Sequence, residues 1–171
     1  MSIIIPSRNE KPENLQRTID SIYENATGEF EVLVGFNGLP TRAIESVAYD
    51  LNNLRVVTLD QNIGIKGMIN TLALLANGKY LLKLDAHTSI SKGFDEVLKA
   101  DMEDDWVVTP RFYVLDGKTW QWQDDRFYDY FYLICPFTDK RGLRFKSGGH
   151  WPDRTMERNP DLMVYEEKVE G

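Results

Sequence analysis

Four short apolar runs, separated by segments with helical spacing, constrain this chain more than any other feature. The runs are Ser2-Ile-Ile-Ile-Pro6, Phe30 to Phe36, Leu54 to Leu59, and the stretch from Lys79 to His87 that follows the turn Asn77-Gly78. Between them, Leu15, Ile19, Ile22 and Tyr23 repeat at helical spacing behind Pro12, a residue suited to a first helical turn. Ile44, Val47, Ala48 and Leu51 do the same over Thr41 to Leu51, and a third helix is predicted from Lys66 to Ala76. Apolar runs of strand length, bounded by turn residues, read as strands buried on both faces. Strand and helix alternating in this way specify an α/β fold, a mostly parallel central sheet with right-handed crossovers. Such sheets bind ligands at the carboxyl ends of their strands.

Beyond His87 the pattern loosens. Phe94 to Met102 is predicted helical, with Phe94, Val97, Leu98 and Met102 on one side. The acidic run Asp101 to Asp105 reads as a solvated helix end and loop. Trp106 to Thr109 is predicted as a strand stopped by Pro110, and Phe112 to Leu115 as another, with a hairpin turn at Asp116-Gly117. Asp124 to Ile134 is rich in aromatic residues, Lys140 to Lys146 is basic, and Ser147-Gly-Gly-His-Trp151 reads as a glycine-rich turn presenting His150 and Trp151. The polar residues from Asn159 to Gly171 read as a flexible or partly ordered tail.

With 171 residues, 42% of them hydrophobic, the chain can bury a core as one domain. Its net charge of −7 argues against binding to a nucleic-acid backbone. A lone cysteine, Cys135, excludes an internal disulfide framework and suits a buried apolar position. No apolar run reaches membrane-span length, and the N-terminus lacks the basic and long apolar regions of a signal peptide. A soluble, cytoplasmic protein is the expectation.

The fourth run ends in Asp85-Ala86-His87. On an extended chain, residues two apart point the same way, so Asp85 and His87 could hold one divalent cation. A carboxylate with an imidazole suits manganese better than calcium. The alternative is structural: Asp85, Thr88 or Ser89 could cap the helix that follows or stabilise a turn.

Four segments in order resemble nucleotide-diphospho-sugar glycosyltransferases of GT-A (Rossmann-like) fold, family 2 type. They are Ser2 to Glu10, Glu31 to Gly38, Asn62 to Asn70 with Ala76 to Tyr80, and Leu84-Asp-Ala-His-Thr88. The Asp-x-His pattern is similar to that of polypeptide N-acetylgalactosaminyltransferases. Gly93-Phe94 and Val107-Val-Thr-Pro110 also match that group, and the likeness runs as far as about Leu115.

The resemblance implies a nucleotide-sugar-binding half over 1–110 and a smaller, irregular acceptor-side region over 111–171. It implies that Pro6, Ser7, Arg8, Glu10, Asn37, Lys66, Asp85 and Ala86 border the donor nucleotide. Asn37 stands where the family usually has an Asp against uracil. Asp85 and His87 would hold Mn2+ or Mg2+ on the donor diphosphate, with His150 as a further ligand from a late loop. Trp120, Trp122 and Trp151 could stack on a sugar, although core packing suits the first two as well.

The implied activity is metal-dependent transfer of a hexose from a nucleotide donor of the UDP-sugar class to a carbohydrate, peptide or other hydroxyl acceptor. The Gly-Gly-Glu-Asn or Glu-Asp segment that carries the family's catalytic carboxylate is not found, so no catalytic base is assigned. Two alternatives stay open: a non-catalytic nucleotide-sugar-binding module or fragment, and a nucleotidyltransferase. The second would want glycine in the loop after the first strand, and Ser7-Arg-Asn-Glu10 has none.

Overall fold

A computed structural model describes residues 1–38, 52–100, 102–128, 131–134 and 146–150, with side chains as far as Gln123. The helix predicted over 41–51, Cys135, Trp151 and the tail from Asn159 lie outside the described residues, as does most of the basic stretch at 140–146. The chain divides into two compact units, Met1–Ala100 and Asp101–Gly171.

The first unit runs β1 (Ser2–Ser7), α1 (Pro12–Asn25), β2 (Glu31–Asn37), β3 (Leu54–Leu59), α2 (Gly64–Leu75), β4 (Leu81–Lys83) and α3 (Phe94–Ala100). Its four strands form one parallel sheet in the order β3-β2-β1-β4. The expected mostly parallel sheet flanked by helices is therefore present. The order places β2 and β3 on one side of β1 and β4 on the other. A crevice opens at such a reversal, beside the carboxyl end of β1.

Every residue of β1 is buried. Alternate side chains serve opposite faces. Ile3 and Ile5 join Leu15, Ile19 and Ile22 of α1, Val32, Val34 and Phe36 of β2, and Phe94. Ile4 joins Leu33 of β2 with Met68 and Leu72 of α2. Helix α2 packs close over β2 because position 35 is glycine. A Cβ there would lie 2.2 Å from Met68 Cε and 2.9 Å from Leu72 Cδ1.

Strand β4 is shorter and wetter than its sequence suggests. It pairs with β1 only over Leu81–Lys83, and Leu81 and Lys83 are exposed. Its apolar run was expected to be buried on both faces, but the strand lies at the end of the sheet order. Helix α3 stops at Ala100, short of Met102, and Val97 is exposed rather than packed. Seven residues make two turns, too few for all four apolar positions to share the core.

At the amino edge of the sheet, one carboxylate fastens five segments. Glu31 accepts hydrogen bonds from Ser2 Oγ (2.6 Å), the Asn77 N–H (2.6 Å) and Arg55 Nη2 (2.8 Å). Ser2 Oγ also accepts the Gly78 N–H at 2.7 Å, and Arg55 reaches the Leu75 carbonyl that ends α2. Burial alone would raise the Glu31 carboxyl. The hydrogen bonds from Ser2 and Asn77 and the Arg55 charge outweigh it and bring it from 4.5 down to about 2.

In the second unit, β5 (Phe112–Leu115) pairs antiparallel with β6 (Trp122–Tyr128), and β7 (Phe131–Ile134) with β8 (Lys146–His150). Asp116 Oδ1 accepts the N–H groups of Lys118 and Thr119, both at 2.8 Å, which builds the predicted turn between β5 and β6. Trp122 stacks on Tyr113 with ring centroids 6.2 Å apart. Two expectations are corrected here. Trp106–Thr109 is not a strand. Ser147 to His150 is not a turn, because its backbone pairs with β7 and a register shift between Tyr132 and Leu133 absorbs one extra residue.

Glu31→Gln is expected to lower the unfolding free energy by about 1–3 kcal/mol near neutral pH. Folding depresses this pKa, so the contribution is complete above pH 4.5 and is lost as pH falls toward about 2. Urea denaturation of both proteins at about pH 7 and about pH 3 checks this. The gap between them should narrow in acid, and a constant gap would contradict the assignment.

Candidate functional site

Two polar clusters meet at the carboxyl end of β1, and the loop after that strand serves both. The segment runs from Pro6 and Ser7, the last residues of β1, through Arg8-Asn9-Glu10. Asn9 adopts φ 55, a left-handed conformation that asparagine tolerates better than most residues. It separates Ser7 and Arg8, which line one cluster, from Glu10, which belongs to the other.

The first cluster is a pocket of about 180 Å³ walled by Pro6, Ser7, Arg8, Asn37, Asn62, Gly64 and Ile65. It sits where β1 and β2 end and α2 begins. Asn37, the last residue of β2, is 4% exposed and is engaged with the far wall. Its Oδ1 accepts the Ile63 N–H at 2.9 Å, and its Nδ2 donates to the Gly64 carbonyl at 3.0 Å. Asn62 Oδ1 accepts the Gly64 N–H at 3.0 Å, and Gly64 itself has φ +78. Asn37 thus sets the position of the loop that starts α2. Ser7 is 3% exposed, and its Oγ has no hydrogen-bond partner. A buried hydroxyl without a partner is unfavourable.

The second cluster lies between β1 and β4. Glu10 Oε2 is 2.8 Å from His87 Nδ1. Glu10 Oε1 accepts the Lys11 N–H at 3.0 Å and Asn14 Nδ2 at 2.9 Å, so the start of α1 holds this carboxylate. Burial pushes the Glu10 carboxyl up, but the bonds from Asn14, His87 and Lys11 hold it below its ordinary value. Asp85 Oδ1 pairs with Lys83 Nζ. The side chains of Asp85 and His87 are 58% and 59% exposed, while Glu10 is 18% exposed.

Asp85 and His87 do not follow one another on an extended strand as expected. The chain leaves β4 at Lys83 and turns at Ala86 and His87, so alternation along an extended strand does not apply. Ala86, 4% exposed, anchors the turn in the core. Thr18 and Ser21 of α1 then receive the Thr88 and Ile90 N–H groups at 2.9 and 3.1 Å. The helix-capping alternative also fails: Asp85 pairs with Lys83, and α3 begins only at Phe94.

Of the residues expected to border a nucleotide, Pro6, Ser7, Arg8 and Asn37 share the pocket; outside it, Glu10 meets His87, Asp85 meets Lys83 and Ala86 packs into the core. Lys66 is exposed on the first turn of α2 and does not line the pocket. Asn62, Gly64 and Ile65 complete the wall without having been singled out as binding residues. The Asn-x-Gly turn ahead of a helix was the available signal. His150 lies on β8 opposite Phe131, and its side chain is outside the described residues. Among the described residues, no three His, Cys, Asp or Glu side chains gather as a metal cluster.

Residues 2–158 match the model of glycosyl transferase family 2. The chain belongs to that family. Among solved structures, this family 2 chain is similar to S. aureus TarS 1-349 in complex with UDP-GlcNAc, with a TM-score of 0.51 and 24% identity. That match covers 58% of this chain and 30% of TarS 1-349. It is also similar to the mannosyltransferase PcManGT from Pyrobaculum calidifontis in complex with GDP-Man and Mn2+, with a TM-score of 0.55 and 18% identity. That match covers 67% of this chain and 35% of the other. At these identities the likeness establishes the GT-A fold. This chain spans about a third of the length of the structures it matches. No protein of curated function matches the sequence. Among the described residues, no helix is long and apolar enough to cross a membrane.

Ser7→Ala is expected to leave the stability of the unliganded protein unchanged or to raise it by up to about 1 kcal/mol, because the hydroxyl it removes has no partner. Denaturant titration tests this. A loss of stability would show that Ser7 Oγ makes a bond within the fold.

Proposed function

We propose that this chain is a metal-dependent glycosyltransferase of the hexosyl type, using a nucleotide donor of the UDP-sugar class and a hydroxyl-bearing acceptor. One observation carries the reading. A polar pocket with an unpartnered buried hydroxyl and the exposed Asp85–His87 pair both adjoin the carboxyl end of β1, where parallel sheets bind ligands. Membership of glycosyl transferase family 2 names the chemistry such a place would serve. The whole of 1–171 is taken as one glycosyltransferase domain.

The pocket offers the nucleoside half of a donor a hydroxyl from Ser7, the Arg8 guanidinium, and the Asn62–Gly64 backbone held by Asn37. Asp85 and His87 are the donors available to a divalent cation, Mn2+ or Mg2+. Their oxygen and nitrogen atoms fit such an ion chemically, and both side chains are open to solvent. When bound, such a cation supplies Lewis-acid neutralisation of the charge that grows on the departing diphosphate. Asp85 must exchange its present partner, Lys83, for that role. In the transfer itself, the acceptor hydroxyl releases its proton to solvent and its oxygen bonds to the anomeric carbon, as the bond from that carbon to the diphosphate breaks and the nucleoside diphosphate leaves with the bonding pair.

Calorimetric titration of UDP, GDP and CDP, each with Mn2+ and with chelator, tests the reading. One nucleotide should bind, UDP on this proposal, and only with metal. Asp85→Ala should abolish the metal-dependent part, and Ser7→Ala should weaken the same nucleotide by about five- to tenfold, the worth of one hydrogen bond. Failure of all three nucleotides to bind would overturn the donor site. Unchanged UDP affinity in Asp85→Ala would remove the metal assignment.

A further inference from the structure

We infer that Glu10 is a positioning residue for His87: it holds the imidazole in the tautomer that leaves Nε2 unprotonated and available to a divalent cation. This rests on the metal-dependent reading above but assigns Glu10 to the cation side of the site instead of the nucleoside side.

The geometry is asymmetric in a way that selects one nitrogen. Glu10 Oε1 is occupied by the Lys11 N–H and the Asn14 side-chain amide, which fix the carboxylate against the first turn of α1. That leaves Oε2, and it meets His87 Nδ1 at 2.8 Å. A carboxylate accepts hydrogen bonds and does not donate them, so in a neutral imidazole that faces Oε2 through Nδ1 the proton sits on Nδ1. The lone pair is then on Nε2. A histidine without such a partner favours the opposite tautomer in water, with Nε2 blocked by its own proton. The arrangement of carboxylate, imidazole and open nitrogen is the one that orients histidine ligands in metal sites.

Glu10 and His87 are 77 residues apart and lie beside adjacent strands, β1 and β4. On either side, the Asn9 conformation and the Ala86–His87 turn present the two groups to each other. Glu10 is mostly covered and His87 mostly exposed, so one partner anchors and the other presents. The carboxylate also adds negative charge behind the ring, which makes Nε2 a stronger donor to a cation.

The chain has two histidines, which makes the tautomer directly measurable. In a His150→Gln background, 15N-labelled imidazole leaves one ring in the spectrum. Long-range 1H–15N correlation, recorded without metal at a pH where the ring is neutral, distinguishes protonated from bare nitrogen. Wild-type His87 should be protonated on Nδ1. Glu10→Ala should move the proton toward Nε2, and Glu10→Gln, whose carbonyl can still accept, should retain part of the wild-type state. Titrated Mn2+ should broaden the His87 signals in wild type at a concentration 10–100-fold lower than in Glu10→Ala. An Nε2-protonated wild-type ring, an unchanged tautomer in Glu10→Ala, or no broadening by Mn2+ would each overturn the inference. The wild-type spectrum decides the point even if Glu10→Ala does not fold. Nucleotide titration separates the two readings. Metal-dependent UDP binding with an indifferent His87 would leave the donor site standing without this role for Glu10. The predicted tautomers and Mn2+ response without nucleotide binding would do the reverse.

Discussion

The burial of β1 is the constraint on which the rest of the first unit depends. Its six residues are buried, all six paired to β2 and the first three also to β4, and they feed side chains into both helical layers. Ile4 alone serves the α2 face, while Ile3 and Ile5 serve the α1 face. Truncating any of the three would open a cavity costing about 2–5 kcal/mol in the middle of the sheet. A strand held this firmly on all sides gives its flanking residues little freedom. Its two ends can therefore carry exact polar arrangements.

The two ends carry different tasks. At the amino edge, Glu31 gathers hydrogen bonds from Ser2, Arg55 and Asn77, and Arg55 extends the link to the last turn of α2. These groups satisfy one another. At the carboxyl edge the groups are less complete: Ser7 Oγ lacks a partner, and Asp85 and His87 stand in solvent. Satisfied polar groups stabilise, and unsatisfied or exposed ones are available to a ligand.

The loop from Pro6 to Glu10 joins the two clusters at the carboxyl edge. Pro6, Ser7 and Arg8 wall the pocket, and Glu10 meets His87. A nucleotide in the pocket and a cation at Asp85 and His87 would be coupled through five consecutive residues. Asn9, in a left-handed conformation, is the place where that backbone changes course.

Much of this was legible in the residues. Runs such as Ile3-Ile4-Ile5 and Val32 to Phe36 can be buried only as inner strands. Leu15, Ile19 and Ile22 repeat at a period that only a helix brings to one face. What the chain order could not reveal was long-range pairing. Nothing near Glu10 indicates His87, and nothing near Asn37 indicates that its amide will hold the Ile63–Gly64 backbone. Local pattern also misjudged β4, whose apolar residues lie at the end of the sheet order, and the glycine-rich segment at Ser147, which becomes a strand only because β7 is there to pair with it. Periodicity, a property of neighbouring residues, determined the sheet and its helices. The partners of each polar group were decided by tertiary structure, because hydrogen bonds form between whatever atoms the packed core brings within about 3 Å, however far apart they lie along the chain.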